Sequence, residues 1–201
     1  MSALVEKMID KYMEQNLYAV VYCLQNMYAS PSLILLYSII DIMASLNRAQ
    51  QHEYVDKDDF ISWVDQYLLP GSALDCSAID LYSARCAILH SMSAESSMSV
   101  RGKARKIYHA IGDGDARKLQ LSIESRQDNA VAIHIDNLYK ALKEGIVKYA
   151  QSISNNSKME GVVLSRMEKL LTIMSIDSMD KYLKNKNPNK LPQFPENPIS
   201  L

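Results

Sequence analysis

Apolar residues recur at three- and four-residue steps through residues 2–28: Leu4, Met8, Tyr12 or Met13, Leu17, Val20, Val21 and Leu24. That period predicts one long amphipathic helix. Ser30-Pro31 then predicts a helix start. A serine can cap free backbone N–H groups, and proline fits a first turn whose N–H groups are unpaired. The helix over about 31–47 is apolar on most sides and contains Asp41, so it is predicted to be the central one. Asp56 opens a third helix over 57–69 with Phe60, Trp63, Val64 and Tyr67 on one face, and Pro70-Gly71 closes it. A fourth helix over about 76–92 carries an apolar stripe of Ile79, Tyr82, Cys86 and Leu89.

The pattern changes after this helix. Residues 93–104 are rich in Ser, Gly and Lys and read as a loop. Lys106–Ile111 and Ala130–Ile135 alternate as strands do, with Gly112-Asp113-Gly114-Asp115 as a turn between them and 116–126 open between helix and strand. Together they predict a small β-hairpin inserted into a helical bundle. Helical period returns from Asp136 to Ile153 with Leu138, Leu142, Ile146 and Tyr149 on one face. Ser157 and Glu160 form the pattern of a capping box for a last helix reaching about Met174. The predicted architecture is therefore mainly α, one domain over 1–186 followed by a proline-rich tail over 187–201.

Composition narrows the class. With 48% apolar residues in a 201-residue chain, a sizeable core can be buried without disulfides or metals. Lys and Arg number 22 against 23 Asp and Glu, so no global field draws in nucleic acid and any contact must use a local patch. The three cysteines, Cys23, Cys76 and Cys86, show no zinc spacing, so neither a metal nor a cofactor is expected. The charged start of the chain (Glu6, Lys7, Asp10, Lys11) and the odd cysteine count predict a cytoplasmic protein without a signal peptide. The apolar run Pro31–Leu46 is short of the roughly 20 residues a bilayer span needs, so no membrane partner is expected.

The segment with the most chemistry is Tyr82-Ser83-Ala84-Arg85-Cys86-Ala87-Ile88-Leu89-His90, which places an Arg and a His five residues apart late in a helix. Five residues turn a helix by about 500°, leaving the side chains about 140° apart and about 7.5 Å apart along the axis. They do not share a face, but a long arginine can reach round to a phosphate that His90 touches, especially if a second copy adds its own pair. The plain alternative is a helix-end histidine beside a solvated or ion-paired arginine. Arg101, Lys103, Arg105 and Lys106, near Tyr108, form a candidate nucleic-acid-binding patch or a solvated loop. Asp113 and Asp115 lack the other ligands of a metal loop, and His109 and His134 lack a third ligand.

The Arg85-x4-His90 spacing near a helix end resembles the HEPN superfamily of nucleotide-binding domains. Leu36-Tyr37-Ser38-Ile39-Ile40-Asp41, Phe60-Ile61-Ser62-Trp63-Val64 and Tyr82–His90 together are similar to bacterial HEPN-like proteins over roughly residues 30–150. The resemblance implies a helical homodimer in which two Arg/His pairs build one metal-free ribonuclease site. His90 would be the general acid or base toward the RNA 2′-hydroxyl, Arg85 would grip the scissile phosphate, and a 2′,3′-cyclic phosphate would result. Active members usually carry a polar residue directly after the arginine, whereas this chain has Cys86. That departure bears on catalysis more than on fold. Three readings follow: a HEPN-type endoribonuclease of a toxin or defence system; a silent HEPN-like module binding nucleic acid, a nucleotide or an unidentified protein; and an unrelated helical interaction protein.

Overall fold

The computed structural model describes residues 13–167. In chain order the elements are α1 (Glu14–Gln25), α2 (Ala29–Asn47), α3 (Lys57–Trp63) with a π-helical turn (Val64–Leu68), α4 (Ala78–Ser91), and a single-turn α5 (Ser97–Val100). They continue with β1 (Lys106–Ala110), α6 (Ala116–Ser125), β2 (Ala130–His134), α7 (Ile135–Ser154) and α8 (Ser157–Met167). The chain is mainly α-helical with one small two-stranded sheet. These residues fall in one compact unit, Met1–Glu168. The expected proline-rich tail, the first half of the expected opening helix and the far end of the last helix lie outside the described residues.

Helix α2 sits at the centre, as its all-round apolarity predicts. Leu36, Tyr37, Ile40 and Met43 have no exposed surface, and α1, α3, α4, α7 and α8 all pack on it. At 19 residues it is long and apolar enough to cross a membrane by length and composition, and half of it is buried inside this fold. Its start differs from the expected serine cap. The helix begins at Ala29 without a side-chain cap, and Pro31 falls third, still among the first N–H positions that a helix leaves unpaired. Its other end is closed from a distance: Arg166 of α8 donates to the carbonyls of Leu46 (2.9 Å), Arg48 (2.6 Å) and Ala49 (3.1 Å). A guanidinium there meets both the free carbonyls and the negative end of the helix dipole.

Helix α3 starts where Asp56 predicts, in a full capping box. Asp56 accepts from the Asp59 N–H at 2.9 Å and Asp59 from the Asp56 N–H at 3.2 Å. The predicted face of Phe60, Trp63, Val64 and Tyr67 is buried throughout. Its last turn widens into the π form, with Leu69 N–H reaching the Val64 carbonyl at 2.9 Å. There α7 comes in close: a Cβ added at Gly145 would lie 3.1 Å from the Tyr67 carbonyl oxygen and 3.2 Å from Leu68 Cα. The predicted stripe of α7 faces this contact, with Leu138, Leu142, Ile146 and Tyr149 all buried.

The expected β-hairpin is not formed. The two strands are the expected ones, but they run parallel, Lys106 opposite Ala130 through Ala110 opposite His134, with α6 as the crossover. Parallel pairing needs a connection of about a dozen residues or more, and 116–126 supplies it as a helix. The expected turn does form, with Gly114 N–H on the Ile111 carbonyl at 3.0 Å, but it leads into a helix, not a second strand: Asp115 caps α6 by accepting from the N–H groups of Arg117 and Lys118, both at 3.0 Å. Gly112 bends the chain there at φ +59°, a conformation glycine adopts without steric cost. The last helix also starts differently: Ser157 is its first helical residue, and Asn156 takes the cap by accepting from the Met159 N–H at 3.1 Å.

Candidate functional site

Helix α4 carries the Arg85/His90 motif, and its start is firmly built. Ser77 and Asp80 form a reciprocal capping box. The core-facing stripe is Leu81, Ala84 and Ile88. This corrects the expected stripe: Ile79, Tyr82, Cys86 and Leu89 are only half-buried. Apolarity alone could not rank two adjacent faces, because two alanines and a serine hold the tighter side. Tyr82, Cys86 and His90 thus follow one another at four-residue steps along a half-open face. The helix ends just past His90, where Met92 turns left-handed at φ 49°.

Arg85 and His90 meet within one chain. Arg85 Nη1 lies 3.3 Å from His90 Nε2. The flexible arginine spans the angular gap that α-helical geometry sets between them. On its other side Arg85 Nε donates to Asp41 Oδ2 of α2 at 2.8 Å. A guanidinium can only donate, so the bond assigns the lone pair to His90 Nε2 and the proton of the neutral ring to Nδ1. The Nη2 group of Arg85 has no partner among the described residues and keeps two N–H donors for an anion. Arg85 and Asp41 are mostly covered, with 23% and 21% of their side chains exposed, whereas His90 is exposed.

The electrostatics follow from that partial burial. Burial lifts the Asp41 carboxyl above its ordinary range, against the opposing pull of the Arg85 bond and charge. Burial works to lower the Arg85 guanidinium, but the bond and charge of Asp41 outweigh it and hold it above its usual value. Arg85 is therefore a fixed cation tied at one end and open at the other. Asp41 joins the candidate site as the partner of Arg85, a pairing that the motif itself does not announce. Its signal was visible: a lone carboxylate inside an apolar helix requires a cationic partner.

The candidate nucleic-acid patch divides. Arg105 is tied to Asp80, through its Nε at 3.0 Å and its backbone N–H at 2.7 Å. Burial works to raise the Asp80 carboxyl, and the Ser77 and Arg105 bonds outweigh it, leaving it below its ordinary range. Lys106 is paired with Glu95, which holds its ammonium above the usual value. Arg101 and Lys103 are exposed, with no side-chain partner among the described residues.

The other histidines have structural places. His109 and His134 do not face each other, since His109 lies opposite Ile133 and His134 opposite Ala110. His109 sits 3.1 Å from the buried Tyr37 hydroxyl, and burial pushes its pKa down to about 4. His134 caps α7 through Asp136 N–H at 3.2 Å. His52, Asp56 and Asp59 gather ligand atoms within 4.8 Å of one another. The capping box of α3 accounts for both carboxylates, and His52 Nδ1 rests on Asp59 at 3.1 Å. The cysteines Cys23, Cys76 and Cys86 are free thiols, and burial raises Cys76 to about 12.

A cavity of about 490 Å³ opens beside the motif, lined by Tyr82, Cys86 and His90 of α4 together with Lys57, Ser97 and Met98. Its volume lies within the range of about 300–1,000 Å³ typical of small-ligand sites. In comparisons with known proteins, the chain matches no family model, no curated protein sequence and no solved structure.

Proposed function

We propose that the chain is a HEPN-type endoribonuclease of a toxin or defence system, cytoplasmic and active as a homodimer, that cuts RNA without metal. The supporting observation is the relay Asp41–Arg85–His90, which ends on an exposed imidazole nitrogen with a lone pair. Substrate phosphate takes the free Nη2 donors of Arg85, and His90 turns from Arg85 toward the ribose. His90 Nε2 accepts the proton of the 2′-hydroxyl. The 2′-oxygen bonds to phosphorus, the bond to the 5′-oxygen breaks, and the leaving oxygen is protonated by the imidazolium of the second copy's His90. The products are a 2′,3′-cyclic phosphate and a 5′-hydroxyl. Asp41 positions Arg85 and does not touch substrate.

The test is cleavage of structured and single-stranded RNAs with and without EDTA. Cleavage is expected in both, lowered by about 10²–10³ in Arg85→Ala because the developing phosphate charge loses its donor. Asp41→Asn is expected to retain part of the activity. An RNA panel left intact under every condition would overturn the proposal.

One observation favours a second reading, a silent module that binds RNA, a nucleotide or a partner protein. Cys86 stands where active members carry a polar side chain, and its thiol offers Arg85 Nη1 only a long contact of 4.0 Å. RNA binding that persists without cleavage, and without need of His90, would favour that reading.

A further inference from the structure

We propose that the cavity beside His90 is a nucleobase subsite in which the base stacks on Tyr82. The inference rests on the ribonuclease reading, because it locates the base from the atom on which His90 acts. A ribose whose 2′-hydroxyl reaches His90 Nε2 carries its base on the adjacent carbon. That base must therefore lie within a few ångströms of His90, and the open space there is the cavity of about 490 Å³.

The wall is built for a flat ring. Tyr82 lies two four-residue steps before His90 on the same helix, and both line the cavity. Phe60 meets the Tyr82 ring edge-on at 5.4 Å between centroids and 66° between planes, a contact that restricts its tilt. The same lining includes Lys57 and Ser97, whose ammonium and hydroxyl can donate to base carbonyls or ring nitrogens. An aromatic ring and hydrogen-bond donors in one cavity are the chemistry that recognises an unpaired base.

The test uses the full chain and a short fluorescein-labelled 2′-O-methyl RNA, which cannot be cleaved because its attacking hydroxyl is blocked. Fluorescence anisotropy should show binding weakened about tenfold or more by Tyr82→Ala, the usual effect of losing one stacked base. Tyr82→Phe should restore most of that loss, since the ring remains. Ser97→Trp, at an exposed position where folding is not at stake, should block the cavity and weaken binding similarly. On cleavable RNA, Tyr82→Ala should raise KM more than it lowers kcat. Unchanged binding in both Tyr82→Ala and Ser97→Trp would overturn the subsite, as would equal losses in Tyr82→Phe and Tyr82→Ala. The ribonuclease reading fails separately: wild-type protein that binds the probe through Tyr82 and cleaves no RNA keeps the subsite and loses the activity.

Discussion

At the scale of single residues, the carboxylates that this fold covers are matched with donors. Asp41 is tied to Arg85, Asp80 to Arg105, and Asp59 to His52 and two backbone N–H groups. Asp80 and Asp59 are buried, where a carboxylate without donors would be costly. His109 follows the opposite rule. It is half-buried against the neutral Tyr37 hydroxyl and stays neutral, its pKa pushed from 6.5 down to about 4 by desolvation. The folded value lies below the unfolded one, so this residue's contribution to stability is complete above pH 6.5 and is lost as pH falls toward 4. Between pH 7 and pH 5, wild type should lose about 2 kcal/mol more than His109→Gln, given 1.36 kcal/mol per pKa unit. Urea unfolding at the two pH values measures it, and equal losses in both proteins would remove His109 from the account.

The elements show what the sequence made legible. Long helices with one apolar face were readable, because burial follows the period directly: Leu138, Leu142, Ile146 and Tyr149 all reach the core. The two strands were also readable, but their direction was not. Alternation reports which residues share a face and carries no information on parallel or antiparallel pairing, and Gly112–Asp115 serves equally as a hairpin turn or a helix start. In the candidate site, Arg85 and His90 were identifiable from their spacing. The carboxylate of Asp41 was visible in its apolar helix, but its pairing with Arg85 was hidden, because the two lie 44 residues apart, a distance in sequence that no local pattern spans. The π-helical turn was hidden too, since it answers to the approach of α7. That approach can be tested at Gly145. Alanine would gain up to about 1 kcal/mol in helix propensity. It would also press a Cβ within 3.1–3.3 Å of Tyr67 O, Leu68 Cα and Trp63 Cη2, two of them backbone. Overpacking of this kind costs about 1–3 kcal/mol, so Gly145→Ala should lower stability by about 1 kcal/mol in a thermal or urea melt. A more stable variant would show that the π turn yields readily.

For the whole molecule, the proposed chemistry needs one base and one acid, and a single chain presents only one His90. A symmetric pair of chains would supply both if each α4 brought its exposed end to a shared cleft. Light scattering at high concentration should therefore give the mass of a dimer, and a strictly monomeric protein would contradict the arrangement. The central claim is that Arg85 and His90 cleave RNA by acid–base chemistry. Its most direct test is analysis of RNA ends after incubation in EDTA with wild type and with His90→Ala, whose folding is verified by circular dichroism. His90 is exposed, so its loss should leave the fold intact. Wild type is expected to leave 2′,3′-cyclic phosphate ends, and His90→Ala none above background. Equal cleavage by a folded His90→Ala protein, or cleavage that EDTA abolishes, would contradict it.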